Sequence, residues 1–322
     1  MSFILKSEDE YEDLLGLWSD LEAGLAMILS HPNKVQEFEA RIRQYDRWMQ
    51  NLIQYDTDVA LYLLFQLAAH SPVGYSASHA LVCAVLSHLV AEEFHLPQAE
   101  RDSLVHAALT MNIAMTELQD QLANQREQPT PDQKAAVRDH ETRSADLLRH
   151  LGIKDEVWLQ TVRQHHHQQA PDMPQYSLTV AQRLAQMLGV VDRYAAMISP
   201  RQSRAGRSAT ESAQDILNND NMRSRLVGQT LLHVVGLFPP GTFVQLDDGS
   251  QGVVLRRSRQ DNRPDVAILL NDNGQLLRPP SLNVCANGSP AISAALPAAR
   301  VQEHLNHHLI LQLGTQQQAI VR

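Results

Sequence analysis

At 322 residues, with 43% hydrophobic and 20% charged side chains, the chain has room for two domains and the balance of a globular protein, which excludes fibrous and disordered classes. A formal net charge of -9 excludes a general nucleic-acid binder, because binding a phosphate polymer needs a basic face. Two cysteines, Cys83 and Cys285, are too few for a disulfide framework. They predict a reducing, cytoplasmic compartment, and both are read as spectators.

The segment Met1 to Lys6 lacks the basic and apolar regions of a signal peptide, and no apolar run approaches the ~20 residues that span a bilayer. No membrane partner is expected. From Glu8 to His70, Leu14, Leu15, Trp18, Leu21, Leu25 and Ile28 recur at helical spacing, with Pro32 and Asn33 interrupting before a second run. Residues 1–70 are therefore expected to be a helical N-terminal segment, and Trp18, Trp48 and Trp158 to be core or interface anchors.

Residues 71–235 read as a second helical unit, broken at Pro97, at Pro129-Thr130-Pro131, at Gly152 and between Pro171 and Pro174. Thr130-Pro131-Asp132 has the form of a helix start, with Thr as cap and Pro at the first helical position. Residues 236–322 change texture. Strands are predicted over Thr242–Leu246, Gln251–Arg256 and Val266–Leu270, separated by Asp247-Asp248-Gly249 and Asn271-Asp272-Asn273-Gly274. The fold class is thus mainly α, with a small C-terminal antiparallel β appendage, a terminal helix, and a glutamine-rich end after Gly314 that reads as a frayed tail.

Fifteen histidines in an acidic chain are the conspicuous chemical feature, and His79, His88, His106, His140 and His165-His166-His167 fall on helical segments. Any one of them is more often core or surface polarity than a ligand. Their order carries more weight. Ser78-His79-Ala80 is followed by Ala107-Ala108-Leu109-Thr110-Met111-Asn112-Ile113-Ala114-Met115, then His140-Glu141-Thr142-Arg143-Ser144, then His165-His166-His167, then Val191-Asp192-Arg193-Tyr194-Ala195-Ala196 and Ser199-Pro200-Arg201. Val235-Gly236-Leu237-Phe238-Pro239-Pro240-Gly241-Thr242 comes after them.

From Ser76 to Ile216 this order resembles the HD-GYP branch of the HD metal-dependent phosphohydrolases. The resemblance implies an HD-type helical bundle and a metal centre that hydrolyses a cyclic di-GMP phosphodiester through a metal-bridging water. Carried over residue by residue, it makes His79, His140, His165, His166 and Asp192 the candidate metal ligands. The His-Asp doublet is replaced by Met111-Asn112, and a neutral carbonyl is no substitute for a bridging carboxylate. Where the family has Gly-Lys, this chain has Ala114-Met115, which removes an ammonium. His167 stands where a glutamate follows the paired histidines, and the Gly-Tyr-Pro loop is absent.

The resemblance therefore implies an impaired cyclic di-GMP phosphodiesterase acting in signalling, as a nucleotide sensor or as a module for protein partners in cyclic di-GMP signalling such as diguanylate cyclases. His140, His165 and His166 could form a three-imidazole face for one divalent ion, Zn, Mn or Fe, with Asp192 and His79 nearby, but the reading given more weight has no ion and the histidines as hydrogen-bonded packing. The rival function is an active phosphohydrolase with a rearranged histidine-rich centre. A third reading is a scaffold that forms a homodimer through the helices before His70. Arg201 and Arg204, with Arg207 nearby, are candidate phosphate forks against a reading as a solvated basic loop. His304, His307 and His308 share a helical face and read as surface polarity.

Overall fold

The computed structural model describes residues 8–70, 74–167, 178–199, 209–217, 222–257, 263–284, 289–296 and 306–320. The helices are α1 (Glu8–Ser30), α2 (Phe38–Tyr55), α3 (Thr57–His70), α4 (Tyr75–Glu93), α5 (Gln98–Thr110), α6 (Thr116–Asn124), α7 (Pro131–His150), α8 (Glu156–Gln164), α9 (Val180–Ile198), α10 (Ala209–Leu217), α11 (Met222–Val235) and α12 (His307–Ile320). None among the described residues is long and apolar enough to cross a membrane.

Helix α4 is the axis of the bundle. Every residue from Ser76 to Ala91 is buried, and α1, α3, α5, α6, α9 and α11 all pack against it. A helix with no solvent face is hydrophobic all round, and that is how Ala80 to Leu86 read. Its first turn is capped from outside: Asp120 of α6 accepts hydrogen bonds from the Ser76 N–H (2.7 Å) and hydroxyl (3.0 Å).

The helix start at Thr130 is as the sequence predicts. The Thr130 hydroxyl accepts from the Gln133 N–H, the Gln133 side chain accepts from the Thr130 N–H, and Pro131 occupies the first turn. Trp18 and Trp158 are fully buried, and Trp48 packs against the core.

The N-terminal helices are joined to the bundle by a buried polar network. Arg101 of α5 grips the Asp46 carboxylate of α2 with two nitrogens, at 2.6 and 2.8 Å, and its Nε donates to His88 Nδ1 of α4 at 3.0 Å. His106 Nε2 adds a contact to Asp46 at 3.1 Å. Burial pushes the Asp46 carboxyl up, but hydrogen bonds from His106 and Arg101 and the Arg101 charge outweigh it and hold the group well below the usual carboxylate range. The histidines His88 and His106 thus belong to this network.

The C-terminal sheet contains five strands, β1 (Phe243–Leu246), β2 (Gln251–Arg256), β3 (Asp265–Leu270), β4 (Leu276–Asn283) and β5 (Ile292–Leu296), in the order β4-β3-β2-β1-β5 with antiparallel neighbours. The first three follow the expected runs. The other two were not predicted; β4 carries Pro279 and Pro280 as an edge strand, where a missing N–H costs no ladder bond. Residues alternate strictly between two cores. Val253, Leu255, Ala267 and Leu269 face the helical body, while Val254, Val266 and Ile268 form a second cluster on the far side.

Gly241, at φ +88°, lets the chain turn against α3, where a Cβ would come within 2.9 Å of the Tyr62 carbonyl and the Phe65 side chain. Arg256 to Asp56 (2.8 Å) and Tyr62 to His307 (3.0 Å) tie the sheet and α12 to the N-terminal helices. Helix α12 continues to Ile320, so the tail expected after Gly314 is helical instead; Gly314 faces the Arg256 side chain and its carbonyl accepts from Arg256 Nε. His304 lies outside the described residues, and His307 is engaged with Tyr62.

Arg101→Met should lower unfolding free energy by about 3–5 kcal/mol in urea titration, since it strands a buried carboxylate. Because Asp46 is depressed in the fold, the wild-type contribution is complete above about pH 4, the unfolded carboxyl value. It is lost as pH falls toward the folded value, so the variant should show the shallower acid slope.

Candidate metal site

Helices α7 and α8 run side by side and bring His140 and the turn His165-His166 together across 25 residues of sequence. Each of the two inner histidines is aimed by its own helix. His140 Nδ1–H donates to the Val137 carbonyl, and His165 Nδ1–H donates to the Val162 carbonyl at 2.7 Å. A carbonyl only accepts, so Nδ1 carries the proton and each Nε2 presents a lone pair.

Those two Nε2 atoms face one another at 3.3 Å. Two acceptors at that distance repel unless a cation lies between them. Two imidazole nitrogens on one tetrahedral ion, each at about 2.0–2.1 Å, stand about 3.3–3.4 Å apart, which is the spacing observed. The exposed His166 closes the group, with all ligand atoms within 4.8 Å of one another. Backbone carbonyls that fix the ligand tautomer are the usual outer support of a metal site. The donor set therefore fits one divalent ion.

Electrostatics act the same way. Burial lowers His140, and burial together with the neighbouring His166 lowers His165 to about 3. Both rings are neutral at physiological pH, the state that ligates.

On the other side of the cluster lies Asp192 of α9. Its Oδ1 accepts from His79 Nε2 of α4 at 2.8 Å, and its Oδ2 is 3.9 Å from His166 Nε2. Burial pushes Asp192 up, but the His79 hydrogen bond and the neighbouring imidazoles prevail and keep it below its ordinary range. The five predicted ligand positions are thus brought to one place. Cys83, read as a spectator, belongs there too: it follows His79 by one helical turn and its Sγ is 3.6 Å from His79 Nε2. The i, i+4 spacing was visible in the sequence, but its significance depends on α9 delivering Asp192 to the same face.

Two supports carried no sequence signal. The Glu141 carboxylate accepts from the His166 N–H at 2.8 Å and so holds the turn after α8. Gly189, one turn before Asp192, allows the close approach of α9: a Cβ there would be 2.3 Å from the His165 carbonyl oxygen.

Met111 is 1% exposed and part of the hydrophobic core. Asn112 precedes a single 3-10 turn (Ile113–Met115), and its Oδ1 is buried without a hydrogen-bond partner among the described residues. The Ala114 N–H donates to Ser144 of α7 at 3.2 Å. Ala114 and Met115 line a cavity of about 950 Å³ with Asp120 and Arg143. The His167 side chain points outward, 3.7 Å from Glu141. Arg201, Arg204, Arg207, Cys285 and residues 168–177 lie outside the described residues.

A helical bundle whose histidines and one buried aspartate converge in this order is the architecture of an HD-type domain. Residues 63–225, half of the chain, match the family model described as HD domain, and the chain belongs to that family, on its HD-GYP-type side. It is also 24% identical over 250 residues to a cyclic di-GMP phosphodiesterase of Pseudomonas aeruginosa. That alignment covers 76% of this chain and 56% of the relative, so the chain spans little more than half of the relative's length.

Gly189→Ala tests how the site is positioned. Helix propensity favours Ala by up to about 1 kcal/mol, but overlap with a backbone carbonyl costs about 1–3 kcal/mol. The expected net result is a lower urea midpoint, with weaker retention of added Zn on dialysis as His165 is displaced.

Proposed function

We propose that this chain is an HD-GYP-type domain that retains a one-ion histidine pocket, has lost efficient phosphodiester hydrolysis, and acts in signalling by binding a cyclic dinucleotide or a protein partner. The observation that carries this reading is the pair Met111-Asn112. Hydrolysis by paired metals needs an anionic group that bridges the cations and offsets their charge. Met111 is committed to the core, and Asn112 brings a neutral carbonyl.

A divalent ion on His140, His165 and His166 would supply Lewis acidity toward a phosphate oxygen. The residues around it supply orientation: Val137 and Val162 set the rings, and Glu141 holds the turn. With Ala114-Met115 in place of Gly-Lys, no ammonium from this turn reaches a phosphate, so a nucleotide would be held with less charge compensation. The cavity at Ala114-Met115, about 950 Å³, is of the size that accepts nucleotide-scale ligands. The relative's cyclic di-GMP chemistry makes a cyclic dinucleotide the first ligand to test.

The rival reading, an active metal-dependent phosphohydrolase with a rearranged centre on His79, His140, His165, His166 and Asp192, is favoured by Asp192, whose two oxygens face different imidazoles. Cyclic di-GMP turnover with added Mn or Fe separates the two. The expected outcome is ion retention by the wild type, its loss in His140→Ala, and turnover no faster in the wild type than in that variant. Rapid wild-type turnover abolished by His140→Ala would establish the rival.

A further inference from the structure

Helices α1 and α2 meet at a corner away from the histidine cluster, and a cavity of about 530 Å³ lies between them. Buried Ile28, half-buried Val35 and the Tyr45 ring give it an apolar lining. Met27, on its rim, is 74% exposed, a large apolar side chain left in water beside an apolar hollow. The volume falls in the range of small-molecule sites, ~300–1,000 Å³. We propose that this corner binds a small organic monoanion, one acidic group on an apolar body, held by Lys34, Arg41 and the Tyr45 hydroxyl.

Charge selects the ligand class. The chain carries a formal net charge of -9, yet Lys34, Arg41 and His31 line this cavity and, among the described residues, no carboxylate does. Neither cation is committed elsewhere. Arg41 Nη1 donates to the neutral Gln44 amide at 3.0 Å, and no described carboxylate lies within ion-pair distance of Lys34 or Arg41. Glu39, the acid nearest to them in α2, is taken by Arg43 at 2.9 Å. Charge-assisted hydrogen bonds from an ammonium and a guanidinium suit an oxyanion, while the apolar lining suits the body that carries it.

Tyr45 supplies a donor at the same place. Its ring stands 5.9 Å from that of Trp48, and its hydroxyl lies against Gly24 of α1, where a Cβ would overlap it. Gly24 therefore admits the hydroxyl to the cavity wall. That hydroxyl has no hydrogen-bond partner among the described residues, and burial pushes the phenol up, so it stays protonated and free to donate. The turn that presents Lys34 is fixed by its own backbone: the Lys34 N–H donates to the His31 carbonyl at 2.9 Å and the Val35 N–H to the Pro32 carbonyl at 3.2 Å.

This inference goes beyond the metal site and does not depend on it. The full chain is titrated with 8-anilinonaphthalene-1-sulfonate, an aromatic monoanion whose fluorescence rises on binding, and the bound dye is challenged with decanoate and with decanol. The expected result is one equivalent of dye, displaced by decanoate and not by an equal concentration of decanol. Lys34→Gln combined with Arg41→Gln changes only exposed side chains and should weaken dye binding about tenfold. Tyr45→Phe should weaken it by about threefold to tenfold. Met27→Glu, also at an exposed position, should abolish it by placing a carboxylate on the rim. Arg143→Gln, in the separate cavity at Ala114-Met115, should leave it unchanged, with circular dichroism confirming the fold of each variant. Absence of dye binding overturns the proposal, as does binding indifferent to Lys34 and Arg41. Equal displacement by decanol shows that the anion is not read and also overturns it, and loss of the dye in Arg143→Gln overturns the assignment to this corner.

Discussion

Helix α4 is enclosed along sixteen consecutive residues, Ser76 to Ala91, and an enclosed helix must satisfy each polar side chain against a neighbour rather than against water. That constraint organises much of the molecule. His79 is answered by Asp192 from α9, His88 by Arg101 from α5, and the first turn by Asp120 from α6. The helices that supply these partners are held at fixed distances from α4. Through Arg101 the constraint reaches Asp46, which ties α2 to the bundle and gives the N-terminal helices one shared core with it.

The histidine cluster is a consequence of the same packing at one end of α9. Gly189 lets the end of α8 come within backbone contact, which places His165 opposite His140. Two lone pairs at 3.3 Å are unfavourable in isolation and favourable around an ion. The arrangement persists because each ring is locked by its own helix carbonyl and Glu141 anchors the next turn.

What distinguishes this member of the family is where its negative charge resides. Asn112 and Met111 bring none to the place where the family's doublet would stand. The anionic donor near the imidazoles is Asp192, with Glu141 bonded to the backbone behind them. The sheet stands apart from this chemistry. One of its faces completes the helical core and the other makes a small cluster of its own, so its role in the described structure is packing.

Much of this was legible in the sequence, because it is written locally. Helical periodicity, the Thr130-Pro131 start, the first three strands and the replaced doublet depend on residues within a few positions of one another, and the order of His79, His140, His165-His166 and Asp192 is read directly along the chain. Strands β4 and β5 were not legible; β4 is an edge strand and tolerates the prolines that exclude an interior one. Nor were the partners of Asp46, Cys83, Glu141 and Gly189. Each acquires its role from a residue 24 to 109 positions away: Arg101 is 55 from Asp46, His166 is 25 from Glu141, His165 is 24 from Gly189 and Asp192 is 109 from Cys83. The sequence by itself determined the helical periodicity and the order of the candidate ligands along the chain; only the tertiary structure decided which of these side chains meet, because burial favours a partner for a polar group without naming it.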